Sequence, residues 1–296
     1  MDIIKNIFIS PSETRLRTPW RILAQSVLFF FLLICFLLPF LSNFGQLFTG
    51  KGLLISQVAE FFAVTLSVFG ARRWIDRRSV ESLGFKLDRF MLVDLLSGIG
   101  ISSIMIGMIY LVEVSLGWLK FNRFVWQSDS LIQVITQVAV YLITFILVGW
   151  NEEVWVRGYL LQNLAHGINL LWAVILSSII FGALHGVNPH ANLISFFGVV
   201  FAGLFLTTGY LRTRQLWLPI GLHIGWNFFE GVVFGFPVSG TETYSLIIST
   251  VNGPDIWTGG LFGPEAGLIV IPILIVGLFL VLAYSRNRES LPLTSG

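Results

Sequence analysis

Glu152 and Glu153, with Arg157 four residues after the second, lie inside a long apolar run, and His185, His223 and Asn227 follow in later apolar runs. Ionisable side chains are costly at membrane depth, so an ordered set of them amounts to a functional-site hypothesis. Two carboxylates and two imidazoles are groups that pass protons to and from water, and the chemistry they suggest is hydrolysis.

Helical spacing divides the work. Glu153 and Arg157 are i and i+4 and share a face on which they can pair, while Glu152 points about 100° away and is freer to act. An ordinary ion pair where a helix leaves the membrane explains these three residues equally well. His185 changes the balance. A tight turn near Gly167 lies about 15 residues after Glu152 and about 18 before His185, so antiparallel helices bring the two to similar height, as a general-base pair requires. Gly182 and Gly186 flank that histidine and allow close helix approach. His223 and Asn227 are again i and i+4, with Gly221 and Gly225 thinning their surroundings, and could donate to an oxyanion or join a metal site; an interhelical hydrogen-bond pair is the plainer alternative. Among other polar residues, Glu230 is a candidate supporting residue on the His223 face, Glu60 and Glu113 stand alone, Asn188 could orient His185 or mark a turn, and His166 and His190 read as solvated helix ends.

The elements that must position these groups are membrane helices. Of 296 residues, 55% are hydrophobic and 11% charged, against about 25% charged in ordinary globular chains, and the mean hydropathy is +0.83. The fold class is an all-α polytopic membrane protein, read as one integral domain over 1–296. A span needs roughly 20 apolar residues, and eight such runs are present, at 22–43, 53–75, 91–117, 131–150 continuing toward 166, 168–186, 191–211, 216–236 and 265–284. Residues 72–89 read as a charged loop with an interfacial helix, and 237–264 as the longest loop. The first run exceeds a secretory h-region and lacks a small-residue cleavage site, so it reads as a retained span. The single cysteine, Cys35, excludes an internal disulfide and a cysteine zinc cluster, and no basic patch suits nucleic acid.

With the N-terminus inside and sides alternating, 15 of the 18 Lys and Arg residues fall on the inner side, leaving Lys51, Lys120 and Arg123 outside. Both termini are therefore expected in the cytoplasm, at a plasma or inner membrane. The fourth run, about 36 residues or 54 Å as a helix, is too long for an upright span. Its C-terminal part is expected to project from the cytoplasmic face, placing the Glu pair near that face with access from the cytoplasm.

The ordered set Glu152-Glu153, Arg157-Gly158-Tyr159, Phe181-Gly182, His185, then His223, Gly225 and Asn227 resembles the CPBP family, the type II CAAX prenyl proteases and bacteriocin-processing membrane proteases also called Abi proteins. The resemblance covers about 130–235, the expected catalytic core. It implies an intramembrane endopeptidase with a cavity between the fourth and seventh spans, Glu152 as the catalytic Glu, His185 as its partner in activating water, and His223 and Asn227 on the oxyanion. Glu153 and Arg157 complete the first motif. The family is classed as metalloproteases although a metal-free Glu mechanism has also been argued, so either no cofactor or a zinc on His185, His223 and Glu152 is implied. No HExxH pair is present, which favours Glu-activated water. The expected partners are a peptide or lipidated protein substrate and membrane lipids; nothing in the sequence sets the oligomeric state. Two other readings use the same residues: a non-catalytic bacteriocin-immunity or peptide-binding protein of the same fold, and a transporter with a Glu/His ion relay, which the lack of repeated halves disfavours.

Overall fold

Long uncharged runs of Leu, Ile, Val and Phe leave the backbone no solvent to bond with in lipid, so each must satisfy its own amides as a helix. A computed structural model describes residues 7–10, 15–40 and 51–287. Lys5, Arg288 and the end of the first expected span at 41–43 lie outside the described residues.

The chain is an all-α polytopic membrane protein. Its main elements are α1 (Thr18–Leu37), α2 (Lys51–Gly70), α3 (Phe90–Ser115), β1 (Leu119–Phe124), α4 (Leu131–Glu153), α5 (Leu161–Gly167), α6 (Leu170–Leu184), α7 (Leu193–Thr213), α8 (Trp217–Asn227), β2 (Ile247–Val251), α9 (Asp255–Thr258) and α10 (Val270–Tyr284). Among the described residues six helical runs are long and apolar enough to cross a membrane. The other two expected spans are also helical but shorter: α8, prolonged by the π-helix Phe228–Val233, and the 15-residue α10.

The long fourth run is one helical body over Leu131–Gly167, 37 residues, in which α4 passes through a π-helix at Val154–Leu160 into α5. Polar caps start the helices where the sequence offers them. Ser130 accepts from the Gln133 amide, Asn169 from Trp172, and Asn192 with Ser195 forms a reciprocal capping box at the start of α7. The expected 237–264 loop is more ordered than its Gly and Ser content implies. Its β2 pairs antiparallel with β1, Leu119 opposite Val251 and Phe124 opposite Ile247, so the segments after α3 and α8 are tied together.

The tightest helix contact joins α3 to α8. A Cβ on Gly221 would stand 2.1 Å from the Leu95 carbonyl oxygen, one on Gly225 2.7 Å from Ile99 Cα, and one on Gly98 2.5 Å from the Leu222 amide. Only glycine allows this approach, which fixes α8 and hence His223. Gly182 is likewise close, its Cβ position 2.6 Å from Val200, whereas Gly186 faces open space and does not serve the contact expected of it. Gly221→Ala should separate the helices and destabilise the protein by about 1–3 kcal/mol, the usual range for overpacking, seen as a lower Tm in detergent. An unchanged Tm would show that α3 can yield.

One end of the bundle is closed by a buried polar network. Arg72 pairs with Asp76 at 3.1 Å and donates to Gln162 at 2.7 Å, Gln162 donates to the Tyr210 hydroxyl, Asn163 donates to Asp76, and Arg15 donates to the Asp76 carbonyl. His166 is exposed in the last turn of α5, as expected, and lies 3.1 Å from both Arg15 and Arg21.

Candidate active site

The helices that carry the candidate residues leave α geometry beside them. α4 ends at Glu153 and becomes π-helical at Val154, α6 ends at Leu184 and tightens to a 3-10 turn at His185, and α8 ends at Asn227 and becomes π-helical at Phe228. Such departures recur at functional sites because they re-aim side chains that a continuous helix would hold on one stripe.

Glu153 and Arg157 are both fully buried and form an ion pair at 2.8 Å. The guanidinium also donates to the Gly203 carbonyl at 3.0 Å and lies over the Phe181 ring, 4.5 Å from its centre. The same Glu153 oxygen contacts His223 Nδ1 at 2.8 Å. Since a carboxylate oxygen can only accept, His223 carries its proton on Nδ1 there. His185 is fixed in the same way, with Nδ1 2.8 Å from the Phe181 carbonyl. Both imidazoles therefore turn Nε2 toward the cavity, where a neutral ring is an acceptor.

Glu152 is the group they face. Its Oε2 lies 3.8 Å from His185 Nε2 and 3.6 Å from His223 Nε2 and accepts no hydrogen bond among the described residues. Its side chain keeps 28% exposure while Glu153 has none, so environment separates the two carboxylates. Three acceptors converge on one point, an arrangement that calls for a proton donor such as water between them. Asn227, 5% exposed, lines the same cavity and makes no side-chain hydrogen bond among the described residues.

The cavity is about 660 Å³. All six candidates stand on or directly behind its wall: Glu152, His185, His223 and Asn227 line it, and Glu153 with Arg157 backs it. The fourth to seventh spans contribute, and α1, α2, the loops at 187–189 and 238–243, Glu265 and Leu274 of α10 also line it. Of the weaker candidates, Glu60 lines it, Asn188 lines it but donates to the Ser239 carbonyl rather than to His185, and buried Glu230 does not reach it.

Residues 134–229 match the family described as Type II CAAX prenyl endopeptidase Rce1-like. The matched segment is about a third of the chain. Every one of the six candidates falls inside that segment. A relative from Bacillus subtilis (strain 168), named "Putative membrane peptidase YdiL", is 32% identical over 112 residues, 38% of this chain. The chain covers 44% of that relative's length.

Outside the matched segment stands a residue that the sequence reading did not single out. Glu265, 7% exposed, lines the cavity and accepts a hydrogen bond from the Ser239 hydroxyl. It gets there because the loop after β2 folds inward through Gly259 and Gly263, both at positive φ, and because Gly198 on α7 leaves room for the Glu265 carbonyl. The available signal was the acidic residue directly after Gly263-Pro264 at the start of an apolar run. The last span proper begins only at Val270, so Glu265 belongs to the loop that precedes it. Burial raises the Glu265 carboxyl above its usual range, and Glu152 adds to this, while the Ser239 bond and the two histidines oppose it.

A carboxyl raised in the folded state binds more protons folded than unfolded over the window above its ordinary value. Its contribution to stability is therefore lost as pH climbs through that window. Glu265→Gln keeps the shape and an acceptor for Ser239 but cannot titrate. Its Tm should fall less than that of the wild type between pH 5 and 8; parallel curves would show that Glu265 stays ionised throughout.

Proposed function

We propose that the chain is a CAAX-type intramembrane endopeptidase that hydrolyses a peptide bond near a membrane-associated end of its substrate, a peptide or lipidated protein. The observation that carries this reading is the unpartnered Glu152 oxygen facing two imidazoles whose far nitrogens are fixed by Glu153 and by the Phe181 carbonyl.

Water held between Glu152 and His185 Nε2 gives a proton to Glu152 and attacks the scissile carbonyl carbon. Charge gathers on the carbonyl oxygen, which the Asn227 amide meets with an N–H donor. With Nδ1–H committed to Glu153, His223 donates from Nε2 only as the imidazolium, whose charge then lies between Glu152 and Glu153. Glu152 passes its proton to the leaving nitrogen, the C–N bond breaks, and one carboxylic acid and one amine leave for each water consumed. Arg157 holds Glu153, and Glu153 holds the His223 tautomer.

Zinc would fall to His185, His223 and Glu152, where it would supply a polarised water. The donor types suit it, but N···O separations of 3.6 and 3.8 Å exceed the about 3.3 Å that tetrahedral bonds of 2.0–2.1 Å require. Among the described residues no group of three His, Cys, Asp or Glu side chains is placed to hold an ion. As placed, the three residues do not fit the metal.

The test is incubation of detergent-purified protein with a farnesylated C-terminal peptide and a panel of leader peptides, with and without chelator. Cleavage of at least one peptide, unchanged by chelator, is expected. Activity lost to chelator and restored by Zn²⁺ would replace the metal-free step, and intact peptides throughout would overturn the proteolytic reading.

A further inference from the structure

The cavity reaches the surface at one end of the helices and is sealed at the other. Its walls include Leu37 near the end of α1, Leu53 near the start of α2, and loop residues 187–189 and 238–243. No described residue of 71–89, 161–170 or 209–217 lines it. Between Glu152 and those segments lie two buried polar layers. The first is Glu153 with Arg157, Gly203 and Thr207; the second is the Arg72, Asp76, Gln162, Asn163 and Tyr210 network. Apolar packing fills the space around them, from Val154 and Tyr159 through Leu161 to Leu216 and Ile220. A peptide cannot pass that way without unfolding the bundle.

The sealed end is also the basic end. Arg72, Arg73, Arg77, Arg78, Lys86, Arg89, Arg212 and Arg214 all belong to it, whereas Lys120 and Arg123 lie on β1 at the opposite ends of the helices. Lys and Arg near span ends mark the cytoplasmic side. The charge distribution and the packing thus disagree with cytoplasmic access: Glu152 stands toward the basic end of its helix, as the sequence implies, but its cavity extends away from it.

We propose that the substrate is a peptide segment presented at the extracytoplasmic side of the membrane, reaching Glu152 past the 187–189 and 238–243 loops. The word substrate rests on the proteolytic reading; the direction of access does not.

The protein has one native cysteine, Cys35, which makes the test direct. In a Cys35→Ser background, Val187→Cys (90% exposed) and Glu242→Cys report the open end, and Trp74→Cys (77% exposed) the sealed end. With a membrane-impermeant maleimide on intact cells, Val187→Cys and Glu242→Cys should label and Trp74→Cys should label only after lysis, with labelling in denaturant giving the total thiol of each variant. Labelling of Val187→Cys and Glu242→Cys only after lysis would overturn the proposal, as would labelling of Trp74→Cys on intact cells. The readout is position, not turnover, so a failure of the peptide panel would leave this result standing, and a failure here would leave cleavage standing.

Discussion

Replacing Glu152 with Gln is expected to lower turnover by about 10²–10⁴-fold, the range that a positioned general base contributes, without a change in Tm. The side chain is 28% exposed and its inward oxygen accepts no hydrogen bond among the described residues, so the amide removes a base without breaking a contact. Glu152→Asp should also be slow, because the shorter side chain withdraws the carboxylate from two imidazole nitrogens already at 3.6 and 3.8 Å. The measurement is single-turnover cleavage of whichever peptide the wild type accepts. Turnover within a few-fold of wild type would remove Glu152 from the chemistry and move attention to Glu265, the other carboxylate that both lines the cavity and lies within electrostatic reach of the histidines.

Arg157→Ala should give the largest loss of stability, about 3–5 kcal/mol, because it leaves the fully buried Glu153 facing only His223 and uncovers the Gly203 carbonyl. Arg157→Lys should recover little: one ammonium cannot reproduce the bonds to Glu153 and Gly203 or the stacking on Phe181. The double variant Arg157→Met, Glu153→Gln removes both charges and should unfold at a higher temperature than Arg157→Ala. Its cleavage should remain poor, since the Glu153→Gln amide no longer anchors the His223 tautomer with a charged acceptor. Thermal unfolding in detergent checks the first claim and kcat the second; an Arg157→Ala protein with wild-type Tm would show that water reaches the pair.

The spans were legible because lipid imposes a composition that local sequence displays: each apolar run from 22–43 to 265–284 has a helix in it, apart from positions outside the described residues. The pairing of Glu153 with Arg157 was legible from i, i+4 spacing, and the meeting of Glu152 with His185 from similar distances to the turn at Gly167. What spacing cannot display is contact between distant segments. The Glu153–His223 bond joins residues 70 apart, β1 pairs with a strand more than 120 residues later, and Glu265 reaches the cavity through glycine conformations that leave no hydrophobic period. The direction of access is limited in the same way, and the cytoplasmic access expected from the sequence stands against the extracytoplasmic access proposed above. Helix length and charge locate Glu152 along its axis, whereas the proposed direction rests on the packing of Tyr210, Gln162 and Arg72, which no spacing displays.

The change from α to π geometry beside Glu153 and Asn227 bears on how relatives are to be aligned. A π turn closes i to i+5 and holds one residue more than the α turn it replaces, so Val154–Leu160 and Phe228–Val233 each carry the equivalent of a single-residue insertion. In a relative that lacks the extra residue, the helix would continue as a regular α-helix, and a one-position gap would fall just after the motif glutamates or the motif asparagine. Forcing a gapless alignment there would slide Gln162, Asn163 and the floor network by about 100° around the helix while the motif letters still matched.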